Sequence, residues 1–87
     1  MKFNTWSKDR ILHGMKRLTS RRIAYMGDPD VEYITPQLPW WFIKEFLYRG
    51  EGAFSPDELQ RVINQIFRRK VGPEELFYVH VLKESEG

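Results

Sequence analysis

Gly14-Met15-Lys16-Arg17-Leu18-Thr19-Ser20-Arg21 sets a glycine, a lysine, a threonine and an arginine at the spacing G-x-K-x-x-T-x-R. Glycine tolerates the left-handed backbone that closes a helix. The residues after it alternate as a strand does, with Arg17, Thr19 and Arg21 on one face and Leu18 and Ser20 on the other. The stretch predicts a helix end, a bend, and a strand over Arg17 to Ile23 that carries cations and a hydroxyl. That combination suits a pocket or groove for a polar ligand derived from nucleic acid.

Upstream, Phe3 opens a short extended segment. Ser7 reads as the N-cap of a helix running through Leu12, with Trp6 and Ile11 placed for a hydrophobic staple. Downstream, Met26-Gly27-Asp28-Pro29-Asp30 is a turn and Val31 to Thr35 a strand. Pro36-Gln37-Leu38-Pro39 breaks that strand, and Pro39 suits the first position of a helix reaching Gly50. Gly50-Glu51-Gly52 turns the chain. Ser55-Pro56-Asp57-Glu58 is a capping-box start. Leu59, Val62, Ile63, Ile66 and Phe67 follow at helical spacing until Gly72-Pro73 stops the helix. Leu76 to Leu82 forms the last strand, with His80 half-buried on it. The order is β-α-β-β-α-α-β, an α+β class with four short strands in a small, partly open mixed β-barrel flanked by helices.

At 87 residues the chain is one domain, 1–87. It has no cysteine and therefore no disulfide or thiolate metal site, and its thirteen aromatics must supply the core. Two histidines, His13 and His80, make neither a metal site nor a cofactor an expectation. No apolar run exceeds four residues, against about 20 for a membrane helix, and Met1-Lys2-Phe3-Asn4 lacks the apolar core of a signal peptide. A cytoplasmic protein with no membrane partner is expected. The net charge of +2 is unevenly spread: residues 1–25 hold seven Lys/Arg and one Asp, and the remainder seven Lys/Arg and eleven Asp/Glu. A basic N-terminal segment fits an anionic partner, and equally fits a solvated surface balanced elsewhere.

The Gly14–Arg21 segment resembles the ASCH family, relatives of the PUA RNA-binding fold. Two further features agree: Gly27-Asp28 ahead of Val31-Glu32-Tyr33-Ile34, and the capped helix from Ser55 followed by Phe77-Tyr78-Val79. Between Thr35 and Gly50 the chain departs from the family's pattern. The resemblance implies a PUA-like barrel with a cleft beside G-x-K, and RNA or a modified nucleoside as partner. Some small bacterial members hydrolyse the N4-acyl group of acetylated cytidine with a lysine and a threonine at K-x-x-T and a glutamate before the last helix. Carried over, these are Lys16, Thr19 and Glu51, with Glu51 one residue from the gapless position at Gly52. Within the resemblance Arg21 pairs a buried carboxylate such as Glu32.

Amide hydrolysis needs a nucleophile, a proton shuttle and a stabilised oxyanion. Thr19 serves as nucleophile or orients a water, a desolvated Lys16 acts as base, and Glu51 protonates the leaving amine or holds the cytosine amino edge. In one regular strand Lys16 and Thr19 face opposite ways, so they converge only if Lys16 precedes the strand or a bulge intervenes. Binding of nucleic acid would fall to Lys16, Arg17, Arg21 and Arg22. Arg21 and Arg22 read as well as a solvated edge, and Trp40, Trp41 and Phe42 as base-stacking platforms or core. A third function class is a helix-turn-helix of the last two helices, with Arg61, Gln65, Arg68 and Arg69 toward DNA.

Overall fold

The computed structural model describes Met1–Lys83. Its sheet is organised by the last strand. β3 (Leu76–Leu82) lies between β1 (Leu18–Arg21) and β2 (Val31–Pro39) and runs antiparallel to both. Three helices complete the α+β fold: α1 (Thr5–Leu12), α2 (Trp40–Phe46) and α3 (Pro56–Phe67). The described residues therefore form an open, wholly antiparallel sheet of three strands, where the sequence predicts a mixed barrel of four. The missing strand is the Phe3 segment, which leads directly into α1.

Three boundaries move for physical reasons. Asn4 caps α1, its Oδ1 accepting the Ser7 N–H at 2.8 Å, because Asn is as good a cap as Ser; Ser7 falls inside the helix and is buried. β2 continues through Pro36 and Pro39 because it is an edge strand, where a missing N–H costs no ladder bond. Its register shifts between Ile34 and Gln37, and there the Thr35 hydroxyl accepts the Val79 N–H at 3.1 Å. Pro39 then becomes the N-cap of α2 rather than its first residue.

α3 starts as its capping sequence requires. Ser55 Oγ accepts the Glu58 N–H at 3.1 Å, while Glu58 Oε1 reaches back to the Phe54 N–H at 2.8 Å. It ends at Phe67, where Arg68 takes a left-handed backbone, φ 55°, so Arg69 and Lys70 lie beyond the helix. Leu59 and Ile63 of α3, Trp40 and Ile43 of α2, and Phe77 and Val79 of β3 form the core with Ala53 and Val71. Trp40 is core, its indole N–H donating to Gln60 Oε1 at 2.7 Å, whereas Trp41 stays 43% exposed. The rings of Trp40 and Phe67 meet that of Phe77 edge-on at 5.6 and 5.8 Å.

Candidate functional site

The segment between α1 and β1 is stitched to two neighbours. The Met15 and Lys16 N–H groups both donate to Arg10 O, at 2.8 and 3.2 Å, which closes the end of α1. Gly14 supplies the left-handed residue there, φ 70°. The Arg17 and Leu18 N–H groups both donate to Gly50 O, at 2.6 and 2.9 Å. Lys16 thus precedes β1 and escapes the strand's alternation. Anchoring at Gly50 brings the next residue, Glu51, alongside it.

Lys16 Nζ lies 3.1 Å from Glu51 Oε1 and donates also to the Glu51 carbonyl at 3.1 Å. Ser20 Oγ donates to Glu51 Oε2 at 2.8 Å. The Lys16 and Glu51 side chains are 5% and 3% exposed. A buried charge pair survives only when its polar atoms are satisfied, and here ammonium, carboxylate and hydroxyl satisfy one another. Gly52 makes the approach possible. Its φ is 93°, and a Cβ there would stand 3.0 Å from the Cβ atoms of both Arg10 and Lys16. Arg10 Nε holds the Gly52 carbonyl at 3.1 Å, with its guanidinium over Trp6.

This cluster lines a cavity of about 550 Å³, within the usual range for small-molecule sites of about 300–1,000 Å³. Leu59, Val62, Ile63, Ile66 and Phe67 of α3 contribute its apolar wall. Phe3, Trp6 and Tyr25 add aromatic rings.

Thr19 lines the same cavity but is not a member of the Lys16–Glu51–Ser20 set. Thr19 pairs in register with His80 and Ser20 with Val79. Val79 belongs to the core beneath the helices, so Ser20 faces the helix side and Thr19 the other. Sequence reasoning passed over Ser20. The available signal was a small hydroxyl at a core-facing strand position, which must find a polar partner once buried.

Of the four cations assigned to nucleic acid, Lys16, Arg21 and Arg22 line this cavity and Arg17 does not. Lys16 is buried in its ion pair. Arg17 is exposed beside Glu32 and Lys83, on a different hollow. Arg22 binds Glu75 at 2.8 Å, a carboxylate shared with Arg69 at 2.6 Å. Those guanidiniums, Arg69 foremost, and the Gly72 N–H hold the Glu75 carboxyl down at about 2. Arg21 donates to the Lys2 carbonyl at 2.6 Å and lies over the rings of Phe3 and Tyr25. Its expected partner Glu32 is exposed, and the buried carboxylate among the described residues is Glu51, which Lys16 takes instead.

His80 is fully buried rather than half-buried. Its Nε2 accepts the Tyr25 N–H at 3.0 Å, which ties the chain after β1 to β3. For a helix-turn-helix, α2 and α3 are joined by the long connection 47–55, and Arg69 is engaged by Glu75. Among the described residues, no three His, Asp or Glu side chains gather as metal ligands, and no helix is long and apolar enough to cross a membrane. Comparison of the chain with family models, curated proteins and solved structures yields no match.

Proposed function

We propose that the chain is a PUA-like, ASCH-type domain that holds an RNA-derived or modified nucleoside in the cavity beside Gly14–Arg21. The observation that carries this reading is the satisfied Lys16–Glu51–Ser20 cluster set beside the apolar α3 wall and the aromatic rings of the cavity. A planar base has apolar faces and a polar edge. The α3 wall and the rings of Trp6 and Tyr25 suit the faces, and the cluster suits the edge. Glu51 and the Ser20 hydroxyl oxygen accept from an exocyclic amino group, and the third Lys16 N–H donates to a ring carbonyl.

The contact between Lys16 and Glu51 favours a second reading, hydrolysis of an N4-acylated cytidine. Water adds to the acyl carbonyl, the Lys16 ammonium stabilises the oxyanion, and Glu51 carries the water's proton to the departing N4. The C–N bond breaks, leaving cytidine and a carboxylate. Thr19, on the opposite strand face from Ser20, takes no part in this step.

N4-acetylcytidine tests both. Turnover to cytidine and acetate, lost about a hundredfold or more in Lys16→Ala, supports the enzyme. Shifts of the Gly14–Arg21 amide resonances without turnover support binding alone. No shift and no turnover would overturn the assignment of this cavity.

A further inference from the structure

Resting on that reading, we infer that the ligand is phosphorylated: the cavity takes a nucleotide, with its base inward and its phosphate at Arg21 and Lys2. The argument is one of charge and placement. Lys2, Lys16, Arg21, Arg22 and Glu51 are the charged side chains that line the cavity. Lys16 and Glu51 neutralise each other at its buried end. Arg22 is matched by Glu75. Lys2 and Arg21 have no carboxylate within ion-pair distance among the described residues, so two positive charges remain uncompensated, both on the more exposed part of the lining. A neutral nucleoside would leave them so; a phosphate would not.

Arg21 is also held ready. Its guanidinium carbon lies 5.2 Å from the Phe3 ring centroid and 5.6 Å from that of Tyr25. One N–H is fixed by the Lys2 carbonyl at 2.6 Å. A guanidinium has five N–H donors in a rigid fork, so four remain. A fork oriented in advance loses little freedom on taking up a phosphate, and the bidentate geometry matches two phosphate oxygens. The hydrogen bond from Arg21 to the Lys2 carbonyl ties the two rim residues together. The apolar wall of α3 and the Lys16–Glu51–Ser20 cluster lie in the same cavity, which leaves the base to the buried end.

Calorimetric titration of the full chain with cytidine, cytidine 5′-monophosphate, cytidine 3′-monophosphate and a 5′-phosphorylated oligocytidine tests this. At least one monophosphate should bind about tenfold or more tighter than cytidine, as a charge-assisted phosphate contact implies. Its affinity should fall with salt at a log–log slope near −1, while that of cytidine stays flat. Arg21→Ala should bring the monophosphate-to-nucleoside ratio toward one, and Arg21→Lys should recover part of it. The salt slope needs no variant and stands even if Arg21→Ala fails to fold. Tighter binding of the oligonucleotide than of either monophosphate identifies a strand as the source of the phosphate; equal or weaker binding identifies the free nucleotide. Equal affinity for nucleoside and both monophosphates would overturn the inference and leave the nucleoside reading intact. Binding of none of the four would overturn both.

Discussion

Lys16 and Glu51 stand 35 positions apart in the chain, and each is the other's principal partner. Lys16→Met should therefore destabilise the fold by about 3–5 kcal/mol, because it leaves a carboxylate buried without its cation. Lys16→Met with Glu51→Leu should cost less than Lys16→Met alone, since an apolar pair of similar volume needs no compensation beyond the Ser20 hydroxyl. Urea unfolding of these two variants and of Glu51→Leu measures the coupling, and losses that simply add would show that the pair is not a unit. Lys16 and Glu51 are named through the family resemblance, and the structure puts the two side chains in contact. Ser20 is not named. Its neighbour Leu18 marks that strand face as core, and a serine there reads as filler until the chain 31 residues on brings a carboxylate to it.

Among the elements, α3 and β3 follow closely from their patterns, because each is decided locally by caps, stops and hydrophobic period. α3 buries Leu59 and Ile63 but leaves Ile66 50% exposed. Ile63→Ala should lower stability by about 2–5 kcal/mol and Ile66→Ala by clearly less, since only the first opens a cavity in packed core. Thermal or chemical denaturation checks the order, and a reversed order would mean that Ile66 is covered by a partner in solution. The elements that departed from expectation are those decided by tertiary position. Two prolines end a central strand but not an edge strand, and nothing in Pro36-Gln37-Leu38-Pro39 says which of these β2 is. α1 starts from Asn4, a cap as good as Ser7 and three residues ahead of it. The Phe3 ring, an acceptable strand residue, serves as a platform for Arg21.

At the scale of the whole molecule, Glu75 ties Arg22 after β1, 53 positions away, to the segment between α3 and β3, where it also holds Arg69 and the Gly72 N–H. Its folded carboxyl titrates near 2 against an ordinary 4.5. A depressed carboxyl contributes stability above its ordinary value and loses it as pH falls through the folded one. Glu75→Gln should therefore be less stable than the parent at neutral pH, with the difference shrinking as pH drops from about 4.5 to about 2; a gap independent of pH would assign the loss to geometry alone. The topology around β3 has a consequence for how the chain is made. β1 and β2 each hydrogen-bond to β3 and not to each other, and β3 follows every other element of the described residues in chain order. On the ribosome both earlier strands emerge with no ladder partner, and local helical contacts are all that the nascent chain can build. Sheet and Glu75 clasp then close together late, through long-range contacts. A chain stalled before residue 76 has every residue of the Lys16–Glu51–Ser20 cluster and no sheet to hold them in place.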